Sequence, residues 1–142
     1  MSEPTQDDLR AIYANTKTIA VVGASADETK AGHRIPRYLQ SQGYRIIPVS
    51  PKGGEILGEK VYPSLKDIPE PVDVVDVFRP AEETPPIARD AVAIGAKVVW
   101  LQSGIASDEA ERIGEEGGLT VVMDRCMGAT HRMLGLGPGP DA

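Results

Sequence analysis

Short segments that could bind a phosphate directly follow predicted buried strands. They are Gly23-Ala24-Ser25, Val49-Ser50-Pro51-Lys52 and Phe78-Arg79. A glycine turn that leads into a helix offers free backbone N–H groups and the positive end of the helix dipole, and both favour a phosphate. We therefore predict a phosphate site at the Gly23 turn, against the alternative of a tight strand–helix turn that binds nothing.

The Gly23 turn departs from the dinucleotide-binding fingerprint. Ser25 stands where the second glycine of that fingerprint belongs, and no glycine matches the third at its spacing. Lys52 follows the second strand, where NAD enzymes place an acid for the ribose hydroxyls. A lysine there favours a phosphate on or near the ribose, which argues against NAD and leaves NADP and coenzyme A open. A solvated loop lysine is the alternative.

Two more strand ends offer groups for the rest of such a ligand. Phe78 supplies an apolar surface and Arg79 a planar head with several donors, although core packing and a surface ion pair are their alternatives. Gln102 and Ser103 supply hydrogen bonds without charge, unless they merely form a helix-entry turn.

No set of residues in the sequence makes a convincing catalytic or metal site. Cys126 follows the last strand but has no histidine next to it, which favours a small buried side chain over a nucleophile. His33 and His131 are far apart and lack the spacing of metal ligands. We therefore predict no catalytic residues and no metal, and His33 is placed to help bind a phosphate.

The elements that must position these segments alternate between strand and helix. Strands are predicted at 18–22, 45–49, 72–78, 97–101 and 119–123, with a minimal strand at 61–62, a loop at 53–58 and helices near 5–13, 36–42, 85–94, 107–116 and 127–134. This alternation predicts an α/β fold, a doubly wound, mostly parallel, Rossmann-like sheet of five to six strands. Such a sheet binds its ligand at the carboxyl ends of the strands, where these segments lie.

Composition excludes several classes of protein. The chain has 142 residues, which suits a single domain, and its 41% apolar and 25% charged residues are typical of a folded protein. A net charge of −6 argues against a non-specific nucleic-acid binder. One cysteine cannot form an intrachain disulfide, and neither a membrane span nor a signal peptide is visible. We expect a cytoplasmic protein.

Five segments, taken in order, resemble the small stand-alone CoA-binding proteins. This family is similar to the CoA-binding domain at the N-terminus of the succinyl-CoA synthetase alpha subunit. The segments are VVGAS (21–25), YRIIPVSPK (44–52), VVDVFR (74–79), VWLQSG (99–104) and DRC (124–126). The resemblance covers about residues 10–134 and implies a Rossmann-like domain, which we place at 1–134. The tail at 135–142 is a low-complexity segment rich in glycine and proline, and we expect it to be flexible.

The resemblance also implies a ligand, coenzyme A or an acyl-CoA. It places the diphosphate on Gly23, Ala24 and Ser25, the adenosine end near Val49, Ser50, Pro51 and Lys52, and the rest of the crevice along Phe78, Arg79, Gln102 and Ser103. The family usually has asparagine where this chain has Ser50. The synthetase carries its phosphorylated histidine on a separate ligase domain, so we do not carry its chemistry over to this chain.

Three functions follow from these observations. The favoured one is a CoA-binding protein without catalytic machinery. An NADP-dependent oxidoreductase is the second, with Asp124, Cys126 and Tyr62 as the local candidates for a proton donor. In the third, a redox or regulatory module, Cys126 pairs with the CoA thiol as a mixed disulfide. We expect no nucleic-acid or membrane partner, and apolar residues of the last helix leave a homodimer open.

Overall fold

The computed structural model describes residues 3–139, and its elements alternate as the sequence predicts. They are α1 Gln6–Ala14, β1 Thr18–Val22, α2 Ala31–Ser41, β2 Arg45–Val49, β3 Glu55–Ile56, β4 Glu59–Lys60, β5 Val74–Val77, α3 Thr84–Ala93, β6 Val98–Leu101, α4 Asp108–Glu116, β7 Thr120–Val122 and α5 Met127–Met133. Short 3-10 turns lie at Leu65–Asp67 and Ala81–Glu83.

Five of the strands form one parallel sheet in the order β2-β1-β5-β6-β7. The interior strand β1 pairs with β2 on one side and with the central strand β5 on the other, so that Ile19 lies between Ile46 and Val74. The chain therefore winds outward to β2 and then crosses back to β5, which places the topological switch point beside β1. The predicted Rossmann-like fold is confirmed.

Helices cover both faces of this sheet. Leu9, Leu39 and Met127, from α1, α2 and α5, pack into one apolar cluster. Ala88 and Ala110, from α3 and α4, pack into a second cluster. Every residue of β5 and β6 is buried, as expected of parallel strands covered on both faces.

Side chains of Thr5 and Ser107 cap the starts of α1 and α4. Thr5 and Asp8 form a reciprocal capping box at the start of α1. Ser107 accepts a hydrogen bond from the N–H of Ala110 at 3.1 Å at the start of α4. These side chains satisfy backbone donors that would otherwise lack a partner.

Two predicted elements differ in the structure. The second helix begins at Ala31 and contains Pro36, whereas we predicted a start around Pro36. The predicted loop at 53–58 contains β3 and the turn of the hairpin β3–β4, in which Glu55 pairs with Lys60. Its turn uses positive φ at Leu57 (55°) and Gly58 (76°), and leucine in that conformation is not a turn signal that sequence reading recognises.

The predicted minimal strand at 61–62 is an isolated parallel bridge between Tyr62 and Val49. Within the described part of the tail, Leu136 packs against the first apolar cluster. The N–H of Gly139 donates to the carbonyl of Gln42. Residues 140–142 of the tail lie outside the described residues, and the flexibility of the tail stays a prediction. No helix among residues 3–139 has the length and apolar character that a membrane span requires.

Candidate functional site

A cavity of about 1030 Å³ lies at the carboxyl ends of β2, β1 and β5. This is the upper end of the size range for small-molecule sites, about 300–1,000 Å³. Most of the predicted binding residues line it, namely Gly23, Ala24, Ser25, Val49, Ser50, Pro51, Lys52, Phe78 and Arg79. The structure therefore brings together segments that lie far apart in the sequence, at the switch point of the sheet.

Gln102 and Ser103 are not among the residues that line this cavity. The side chain of Gln102 is buried, and its amide donates to Oδ1 of Asp76 while its Oε1 accepts from the N–H of Met127 at 3.3 Å. Ser103 is exposed in the turn after β6. The structure thus separates these two predicted residues from the other nine.

Gly23 occupies a position that only glycine fits well. Its φ is +89°, and a Cβ on it would lie 2.9 Å from Cδ of Arg79 and 3.0 Å from the carbonyl oxygen of Phe78. Its own N–H donates to the carbonyl of Val49 at 3.2 Å. The turn is therefore held tightly between the ends of β2 and β5.

Gly32, which the sequence analysis did not single out, brings α2 against this turn. A Cβ on Gly32 would lie 2.7 Å from the carbonyl oxygen of Gly23. The carbonyl of Gly32 accepts a hydrogen bond from the N–H of Ser25 at 3.2 Å. That carbonyl lacks its usual helical donor because Pro36, four residues on, has no N–H. Gly32 thus provides the close helix–strand contact expected of a third glycine, at a longer spacing.

The start of α2 faces the cavity with its first amides uncapped. Its N-cap residue is Lys30, which makes no side-chain capping bond, and Ala31 and Gly32 line the cavity. His33 is buried, and its Nδ1 lies 2.8 Å from the carbonyl oxygen of Ser25. His33 does not line the cavity, and its contact with Ser25 supports the loop between β1 and α2. An uncapped helix start of this kind favours a phosphate.

Three cations line the cavity, and they differ in what they contact. Lys30 and Lys52 form no ion pair within residues 3–139. Arg79 is paired with Glu83, as the surface ion-pair alternative expects, and this pairing raises the pKa of Arg79 and lowers that of Glu83. The two lysines are therefore the cations that can meet an anionic ligand without losing a partner.

The residues after β2 hold Lys52 at the cavity. Ser50 donates its N–H to the carbonyl of Tyr62 at 3.0 Å, and its Oγ lies 3.3 Å from the N–H of Lys52. Apolar walls come from Val49, Ile56 and Phe78. A lysine beside apolar walls suits an adenosine that carries a phosphate.

A buried polar pair, Asp76 and Gln102, lies outside the cavity lining. Asp76 of β5 is fully buried, and burial raises its pKa to about 7 despite the hydrogen bond from Gln102. Its Oδ2 has no hydrogen-bond partner within the described residues. A raised pKa of this size means that the folded protein binds the proton more tightly than the unfolded chain does.

Cys126 lies at the start of α5 and is partly buried. Its Sγ lies 3.4 Å from the N–H of Ala129, and it does not line the cavity. Across residues 3–139, no three His, Cys, Asp or Glu side chains are grouped to hold a metal.

The profile of a family described as "CoA binding domain" matches residues 17–132. Among full-length relatives, the chain is 39% identical over 131 residues to the Bacillus subtilis protein YneT, covering 92% of this chain and 97% of that one. A solved structure from Thermus thermophilus, described as cell-free ID.343, superposes with a TM-score of 0.88 at 44% identity and covers 92% of this chain and 98% of that one.

A larger relative contains the same kind of domain within a longer chain. It is the alpha subunit of acetate–CoA ligase [ADP-forming] I from Pyrococcus furiosus, which is 40% identical over 115 residues. The match covers 77% of this chain but 24% of the subunit. The similarity therefore concerns a minor part of that ligase subunit.

Proposed function

The chain belongs to the family of CoA-binding domains, and we propose that it binds coenzyme A or an acyl-CoA in the cavity at the ends of β2, β1 and β5. The observation that carries the proposal is the uncapped start of α2, held against the Gly23 turn by Gly32 and flanked by Lys30 and Lys52. Backbone amides, a helix dipole and the charge of Lys30 meet there, which suits a diphosphate, and Lys52 supplies a second cation on the wall of the same cavity.

We assign the parts of the ligand by chemistry. The diphosphate lies on Gly23, Ala24 and Ser25, next to the first turn of α2. The adenosine lies between Val49 and Ile56, where the wall is apolar. Lys52 binds the 3′-phosphate, because it follows the strand that lines the adenosine end and forms no ion pair within residues 3–139. With these assignments, the diphosphate meets backbone N–H donors and the 3′-phosphate meets a lysine.

The pantetheine arm would leave the cavity past Phe78 and reach the end of the neighbouring strand β6. Ser103 is exposed there and can donate to an amide of the arm. Gln102 would act through its bonds to Asp76 and to the N–H of Met127, holding the start of α5 in place.

We propose binding without chemistry as the activity. Tyr62, Asp124 and Cys126, the residues considered as proton donors, do not line the cavity. Family membership favours CoA over NADP. A cytoplasmic location, the absence of nucleic-acid partners and a homodimer through α5, where Met133 is 60% exposed, stay predictions.

Calorimetric titration tests the proposal, with NADP⁺ and NAD⁺ as comparison ligands. We expect saturable one-site binding of CoA and at least tenfold weaker binding of both nicotinamide nucleotides. At one hundred times its dissociation constant, CoA should add about 2.7 kcal/mol to the free energy of unfolding. Absence of heat and of stabilisation with CoA and with acetyl-CoA would refute the proposal.

Replacing Lys52 by alanine should weaken CoA more than dephospho-CoA, which lacks the 3′-phosphate. A charged hydrogen bond contributes about 1.5–3 kcal/mol, so we expect a loss of roughly tenfold to a hundredfold for CoA and little change for dephospho-CoA. Lys60→Ala is the matched control, because Lys60 lies on the neighbouring hairpin over the ring of Tyr62 and outside the cavity lining. Equal losses for the two ligands would reject the assignment of Lys52.

A further inference from the structure

Arg79 differs from the other cations of the cavity because it already holds a carboxylate. Its Nε donates to Oε1 of Glu83 at 3.1 Å, and its Nη2 donates to Oε2 at 2.8 Å. This two-point contact uses the edge of the guanidinium that would bind two oxygens of one phosphate. Glu83 therefore occupies the position that a ligand phosphate would take on Arg79.

The guanidinium is held beside the proposed diphosphate position. The stem of Arg79 crosses the Gly23 turn, with Cδ 2.9 Å from where a Cβ on Gly23 would be. Rotation about the outer bonds of this side chain changes which anion the guanidinium faces, with no movement of the backbone. Arg79 and Glu83 both line the cavity, so the exchange takes place at its wall.

Breaking the Arg79–Glu83 ion pair costs little free energy. Both side chains are 46% exposed, and exposed ion pairs contribute little to stability because water screens them. Glu83 is also the residue before α3 and makes no capping bond there. A carboxylate released from Arg79 thus remains beside the positive end of a helix.

We propose that Glu83 is a built-in competitor that sets the affinity of this site. In the absence of ligand its carboxylate binds the guanidinium of Arg79, and on binding a phosphate of the ligand replaces it. The inference rests on the proposed function. Because one charged contact to Arg79 is exchanged for another, the ligand gains less than it would from a free guanidinium.

Titration of CoA into Glu83→Gln and Glu82→Gln variants tests this inference. Glu82 is the matched control, since it lies in the same short turn and lines the same cavity but has no ion pair within residues 3–139. We expect E83Q to lower the dissociation constant about three- to fivefold and E82Q to change it by less than about 1.5-fold.

Two further titrations separate competition from a general charge effect. In an Arg79→Ala background, E83Q should have no additional effect on CoA binding. The gain from E83Q should also persist with dephospho-CoA, which keeps the diphosphate. Thermal unfolding of each variant shows whether the fold is retained.

The possible failures are distinguishable. If wild-type protein binds no CoA, the proposed function and this inference fall together. If wild type binds CoA but E83Q binds it equally or more weakly, Glu83 holds Arg79 in its binding position and the competition is wrong. Equal gains from E82Q and E83Q would assign the effect to net charge and also overturn the inference.

Discussion

Replacing Gly32 by alanine is expected to remove most of the affinity for CoA. The new Cβ would lie 2.7 Å from the carbonyl oxygen of Gly23, so the turn and the start of α2 must separate. The hydrogen bond from the N–H of Ser25 to the carbonyl of Gly32 would lengthen as they do. Losing alignment of one or two charged backbone contacts corresponds to a loss of about tenfold or more in affinity.

The expected loss of CoA affinity in G32A cannot come from a weaker helix, because alanine normally stabilises a helix relative to glycine by about 1 kcal/mol. Titration with CoA and urea unfolding together measure both consequences. Gly95→Ala is the control, since Gly95 ends α3 with φ +77°, has open space around it and does not line the cavity. We expect G95A to lose stability but to bind CoA normally. Unchanged binding by G32A would mean that the Gly23–Gly32 contact does not shape the site.

Replacing Asp76 by asparagine is expected to remove a large pH dependence of stability. Burial raises the pKa of Asp76 to about 7 in the folded protein, well above the ordinary value of 3.8. The folded state therefore keeps a proton that the unfolded chain has lost at intermediate pH. The contribution of this group to the free energy of unfolding is fully present below pH 3.8 and is lost as the pH rises through about 7. Above that pH the group contributes no further change.

Urea unfolding at about pH 5 and pH 8 measures this effect as the difference between wild type and D76N. Each unit of pKa shift corresponds to 1.36 kcal/mol, so wild type should lose about 3 kcal/mol more than D76N over this range. The asparagine can still accept the hydrogen bond from Gln102, which limits the structural change.

Asp73→Asn serves as the control for the pH experiment. Burial raises the pKa of Asp73, but hydrogen bonds from the N–H groups of Lys17 and Thr18 lower it. The net result is a pKa below the ordinary value. Its linkage therefore has the opposite sign and lies below this pH range. D73N should keep the wild-type slope, and a D76N slope equal to wild type would contradict the assignment of a proton to Asp76.

Strand positions could be predicted from the sequence because buried parallel strands are continuous apolar runs with turn residues at their ends. The predictions for Thr18–Val22 and Arg45–Val49 match β1 and β2 at both ends. Proline within sheets is largely confined to edge strands, and β2, which contains Pro48, is an edge of the sheet. Nine of the predicted binding residues line the cavity for the same reason, since parallel strand ends meet at one edge of the sheet.

Gly32 was missed because its contact with Gly23 depends on the length and path of the loop between them. A sequence signal was present in Pro36, which leaves the Gly32 carbonyl free for another donor. The direction of the Gln102 side chain was also not predicted, since the sequence placed it in the crevice and it does not line the cavity. An aspartate inside an apolar strand needs a buried donor, and the side chain of Gln102 turns inward to supply one to Asp76.

A crystal structure of this protein grown with CoA is the most direct test of the account. We expect the diphosphate to accept hydrogen bonds from backbone amides of the Gly23–Ser25 turn and the first turn of α2, with the 3′-phosphate at Lys52 and Glu83 displaced from Arg79. An empty cavity beside saturating CoA, or CoA bound elsewhere on the molecule, would contradict it.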